Sequence, residues 1–107
     1  MDINPFELLK NAQRIQEQMG SFQEKLGGIT VTGSAGGGMV EIAMNGRLEV
    51  IGVRIAPEAV DPSDVGMLQD LVKAAFADAA DRAREAIRSE VGAMTGGMNL
   101  PPGLMGL

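Results

Sequence analysis

The longest helical pattern in the chain outruns every strand beside it, and that mismatch limits what the sequence can fold into. Asp61-Pro62-Ser63-Asp64 reads as a cap, a Pro at the first helical position and an acidic first turn. From there an apolar stripe runs through Val65, Leu68, Leu71, Val72, Ala75, Phe76, Ala79, Ala83, Ile87, Val91 and Met94. It is wide as far as Phe76 and dominated by Ala beyond it, so close helix approach is expected there. A helix of about 30 residues is about 45 Å long. A strand of six to eight residues spans only about 20–25 Å. The helix must therefore overhang its own sheet, and its seam needs a second helix or a second subunit.

A second long helix poses the same problem. Asn4 is placed to cap it, with Pro5 at the first helical position. Apolar residues then recur at Leu8, Ala12, Ile15, Met19, Phe22 and Leu26, in alternating steps of four and three. That is a heptad seam, narrower than the stripe of a helix lying on a sheet. Gly27-Gly28 is expected to end it.

Three strands separate the helices. Ile29 to Thr32 alternates, and Gly33 to Gly38 reads as a flexible connection. Met39 to Met44 is expected to pair with Arg47 to Ile55 through an Asn45-Gly46 two-residue turn, placing Val40 opposite Ile51. Val40, Ile42, Ile51, Val53 and Ile55 then share the core face. Gly52 marks a bulge or a close backbone approach. The class is α+β: α-β-β-β-α, with a three-stranded antiparallel sheet and two long helices. Residues 1–94 make the domain, and 95–107 form a Gly-, Pro- and Met-rich tail.

Composition narrows the chemistry. The chain of 107 residues has no Cys and no His, which removes disulfides, thiolate nucleophiles, imidazole bases and Cys/His zinc sites. Three Phe are the only aromatics, so the core is built from aliphatic side chains and Met. The N-terminus carries no signal-peptide pattern and no apolar run reaches membrane-spanning length, so a cytoplasmic, membrane-free protein is expected. The net charge of −5 argues against a generally cationic nucleic-acid binder.

The candidate sites are few. Gly33-Ser34-Ala35-Gly36-Gly37-Gly38 lacks a Gly-Lys-Ser/Thr ending and precedes a strand, so it is no phosphate loop. Asp78 and Asp81 have a spacing open to Mg²⁺, but Arg82, Arg84 and Glu85 beside them favour a salt-bridged solvent face. No carboxylate pair stands out as catalytic, and no metal, cofactor or small-molecule substrate is expected. The basic residues do cluster: Lys10, Arg14 and Lys25 on the first helix, Arg82, Arg84 and Arg88 on the distal half of the second. Such a patch can meet phosphates without reading bases. Charge alone places a solvated face, neutralised by Asp81, Glu85 and Glu90, ahead of that reading.

Several strings shift that balance. Gln13-Arg14-Ile15-Gln16, Val31 to Val40 and Met44-Asn45-Gly46 match a known family, as do Leu71 to Ala79 and Thr95 to Gly103. Over nearly its whole length the chain resembles the YbaB/EbfC family of bacterial nucleoid-associated proteins. The resemblance implies a homodimer with a fused central sheet region and helical arms projecting like tweezers. It also implies a non-enzymatic protein that binds double-stranded DNA in the nucleoid, with Lys10, Arg14, Lys25, Arg82, Arg84 and Arg88 on the arms. The rival is a protein-interaction or adaptor module, whose arms and Met-rich tail grip a partner polypeptide.

Overall fold

The computed structural model describes residues 4–94, and the tail expected at 95–107 lies outside the described residues. The order is α1 (Pro5–Gly28), β1 (Thr30–Ala35), β2 (Val40–Asn45), β3 (Val50–Ile55), a 3₁₀ turn (Pro57–Ala59) and α2 (Val65–Met94). The strands form an antiparallel sheet in the order β1-β2-β3. The α-β-β-β-α architecture therefore stands, stretched into an envelope of 72 × 23 × 18 Å.

The core sits where α2 crosses β1 and β2. Val40, Ile42 and Met44 of β2 are buried beneath Ala75, Ala79, Ala80 and Ala83 of α2. The alanines matter because the helix lies almost backbone-to-backbone on β1. A Cβ on Gly33 would run into the α2 backbone at Ala75 and Ala79. Gly33 is thus a strand residue at a close approach, not the start of the flexible connection its composition suggested. The turn itself is shorter: Gly36, Gly37 and Gly38, all with positive φ.

The β2–β3 register also departs from expectation. Val40 pairs with Ile55, Ile42 with Val53 and Met44 with Val50, with an irregularity at Ala43/Met44 beside Gly52. Asn45-Gly46 is not a two-residue turn. Asn45 N–H donates to Glu49 O (3.0 Å), and Leu48 N–H donates to Asn45 O (3.1 Å). Leu48, rather than Gly46, takes the positive φ of 63°. Gly46 is needed for another reason: its Cβ would lie 2.5 Å from Leu26 O, where α1 docks.

The new register keeps Val53 and Ile55 on the face of their cross-strand partners. Burial, however, contradicts the expected core. Ile51, Val53 and Ile55 are 54%, 56% and 39% exposed, whereas Val40 and Ile42 are buried. The cause is coverage: α2 lies over β1 and β2 and leaves β3 bare.

One cap moves as well. Asp61 accepts from both the N–H and the hydroxyl of Ser63, closing a local turn. These hydrogen bonds, the hydroxyl's first, hold its carboxyl below the usual carboxylate range. Asp64 caps α2 instead, its Oδ1 accepting from Met67 N–H at 3.2 Å.

Candidate nucleic-acid interface

Helix α1 begins as expected, with Asn4 Oδ1 accepting the Phe6 N–H at 3.0 Å. Thereafter residues 5–21 are all exposed, so about 25 Å of helix leaves the body with no other described part of the chain packed on it. Only the last turn is tied down. Leu26 is buried, and its carbonyl accepts the Gly46 N–H at 2.9 Å. The Arg47 guanidinium donates twice to Gln23 O, at 3.1 and 2.9 Å. Arg47 itself is fixed by Asn45, whose Oδ1 accepts the N–H groups of Arg47 and Glu49. The β2–β3 turn is therefore the socket of an arm, and residues 45–47 set its direction. Reasoning from sequence missed Arg47 because its partner is a main-chain oxygen far away in the chain.

The arm has two unlike faces. At 3.6 residues per turn, Lys10, Arg14, Ser21 and Lys25 line up along one side. The seam of Leu8, Ala12, Ile15 and Met19 lies well round the helix from that row, and Phe22, its last member on the arm, comes up to the row's edge. Leu8, Ile15 and Met19 are each more than half exposed. Arg14, Ser21 and Lys25, with Glu17, Gln18 and Phe22, border a shallow open hollow on the arm.

The six basic candidates do not form one patch. On α2, Arg82 pairs with Asp78 (3.2 Å), Arg84 with Asp81 (3.2 Å) and Arg88 with Glu85 (3.2 Å). Asp78 is engaged twice, since its Oδ2 also accepts the Ser34 N–H at the β1 edge (3.0 Å). That hydrogen bond, then the Arg82 guanidinium, holds its carboxyl below the ordinary carboxylate range. Lys25 reaches Glu90 at 3.5 Å, which ties the root of the arm to the end of α2. Lys10 and Arg14 have no ion pair among the described residues. Asp78 and Asp81 are thus spent on arginines, and among the described residues no three metal-binding side chains lie together. Among those residues, too, no helix is long and apolar enough to cross a membrane.

The class this defines is a helix–sheet–helix binding domain with a projecting, two-faced arm. Comparison with known proteins places it. Residues 1–98 match the model of the YbaB/EbfC DNA-binding family, and the chain belongs to that family. A nucleoid-associated protein of Paramagnetospirillum magneticum is 48% identical over 90% of both chains. One from Dictyoglomus turgidum is 44% identical over 94% of this chain and 97% of its own. The crystal structure of an uncharacterized protein from Helicobacter pylori shares the fold. It has a TM-score of 0.73 over 88% of this chain and 99% of that one, at 20% identity.

Proposed function

We propose that this protein acts in the cytoplasm, within the nucleoid, as a homodimer that grips duplex DNA through phosphate contacts from its arms. It does so without catalysis and without a cofactor. The observation that carries the reading is the row on α1. Lys10 and Arg14 are exposed and unpaired among the described residues, and Lys25, itself 67% exposed, is held among them by one ion pair, to Glu90. Exposed pairs of that kind contribute little, so phosphate can displace Glu90. Arg82, Arg84 and Arg88 belong to the same site as a weaker second tier, since the carboxylates of Asp78, Asp81 and Glu85 beside them lower the local positive potential. A net charge of −5 does not oppose this, because it is the local potential along the arm that meets the duplex.

The second copy is supported by β3. Val50, Ile51, Val53 and Ile55 stand half-bare on an edge strand, an arrangement that invites pairing. Phe76 and Val72 of α2 lie across the helix from Asp78, which grips the β1 edge, so they extend the apolar surface toward the β3 side. Phe76 is 47% exposed, and a shallow, almost wholly apolar groove runs past it and Val72. Covering such side chains regains about 1 kcal/mol each. A two-fold contact there joins two sheets into one body and points two arms outward. An adaptor that grips a polypeptide would use the arm's apolar seam alone and leave the basic row without a role; family membership favours DNA.

The test is binding to a labelled mixed-sequence duplex across a salt series. About four free cations per dimer give a slope of log K against log salt of about −3.6, or about a 150-fold loss between 50 and 200 mM. A flat salt response would rule out phosphate contacts as the source of affinity.

A further inference from the structure

The basic row leaves the other side of the arm unexplained, where Leu8, Ile15 and Met19 are each more than half exposed. We propose that α1 arms from two different dimers pair seam to seam, antiparallel, so that each pair carries one duplex on either outer side and bridges them. This rests on the arm being the DNA-binding element; what it adds is the occupant of the opposite face.

Three observations select a second copy of α1 as that occupant. The spacing comes first. Leu8, Ala12, Ile15, Met19 and Phe22 follow alternating steps of four and three, the pattern that suits another helix. Where this protein does lay a helix on a sheet, on α2, it uses a broader band containing Ala75, Ala79, Ala80 and Ala83.

Charge is second. The positions flanking the seam are Leu9, Asn11, Gln16, Gln18, Gln23 and, at the root, Lys25, while Lys10, Arg14, Glu17 and Glu24 project on the far side. An identical helix therefore meets amides able to hydrogen-bond with its own, and no block of like charge bars self-pairing. An acidic or basic partner polypeptide finds little to recognise beside the seam.

The third is the socket. Each arm is fixed at Leu26 to its own body, so a parallel pair would force two bodies into one place. Antiparallel pairing sets them at opposite ends, and both basic rows face outward.

The seam is short. It covers little more than two heptads, below the three to four that sustain a stable coiled coil. One pair of arms is therefore weak in free solution. Two arms per dimer, concentrated along DNA, raise the effective concentration enough to join them. Bridging is expected on DNA, and the free protein remains dimeric.

The experiment uses the full chain, one bead-tethered duplex and a second, fluorescent duplex. Ile15→Gln with Met19→Gln is expected to bind a single duplex within about twofold of the parent and to capture the second at least about tenfold less. Undiminished capture would overturn the proposal. So would a seam variant that turns the free dimer into monomers, since the seam would then belong inside the dimer. Lys10→Gln with Arg14→Gln separates the two readings, because it should lower single-duplex binding at least about tenfold as well as capture. If it leaves single-duplex binding intact, the DNA-binding arm itself is wrong. The chain has no Cys, so geometry can be read by cross-linking on DNA. Mixed Leu8→Cys and Phe22→Cys proteins should form a disulfide between tip and near-root. Leu8→Cys linking to itself as readily would contradict antiparallel pairing.

Discussion

The two long helices of this protein are similar in length and each carries an apolar stripe, yet one is half interior and the other almost wholly surface. Helix α2 lies on β1 and β2 through Ala75, Ala79 and Ala83, all fully buried, against a glycine that lets the backbones meet. Helix α1 touches the body only at its last turn, and Ile15 and Met19 remain 57% and 61% exposed. The strands divide the same way: β2 is covered, while β3 beside it is bare on the same face. The difference teaches that an apolar pattern specifies burial without specifying by whom. In α2 and β2 the chain answers for itself. In α1 and β3 the described residues supply no cover, which is what the proposed second copy would provide.

That contrast can be broken first at its tightest point. Gly33→Ala should destabilise the fold by about 3 kcal/mol or more, because the new methyl meets α2 backbone, which cannot step aside as a side chain can. Thermal unfolding by circular dichroism measures it. Met44→Ala should cost about 2–5 kcal/mol in the same assay, as a fully buried side chain leaves a cavity. Ile15→Ala, at an equally apolar position, should shift stability by under about 0.5 kcal/mol. A loss at Ile15 approaching that at Met44 would mean the arm is already covered.

Two further comparisons sharpen the contrast. Lys10→Gln with Arg14→Gln should lower duplex affinity by at least about tenfold at low salt, whereas Arg84→Gln with Arg88→Gln should lower it only about two- to threefold. Equal losses would place α2 in the first rank of contacts. The smallest effect is a pH dependence at the β1 edge. The Asp78 carboxyl titrates below its ordinary 3.8 in the folded state, through the Ser34 N–H first and Arg82 second. Its contribution is therefore present above about that pH and is lost as pH falls through the lower, folded value. Asp78→Asn should flatten that acid limb in a denaturation series, and an unchanged limb would remove Asp78 as its source.

Much of the local order was legible in the residues. The Asn4-Pro5 start, the strand count and the Ala-rich distal half of α2 follow from capping, alternation and side-chain size. What escaped is tertiary in origin. Gly33 resembles a loop glycine until α2 is laid across it. Asn45-Gly46 resembles a tight hairpin, but the Gly46 N–H donates to the Leu26 carbonyl and Leu48 carries the positive φ of a longer turn. Asp61 satisfies a helix-start pattern, but its carboxylate is consumed by Ser63, and Asp64 inherits the cap. The basic cluster was visible as composition. Its division into paired arginines on α2, a paired Lys25 at the root of α1 and Lys10 and Arg14 with no ion pair among the described residues required knowing which carboxylates each side chain can reach.

Whether the exposed half of this sheet is an interface is decided most directly by sedimentation equilibrium at micromolar concentration, comparing the parent with Val53→Asp. The parent should behave as a particle of twice the 11.2 kDa protomer mass, and the variant should fall toward the protomer mass with its helical signal retained. A parent that sediments as a single folded protomer would contradict the account at its root.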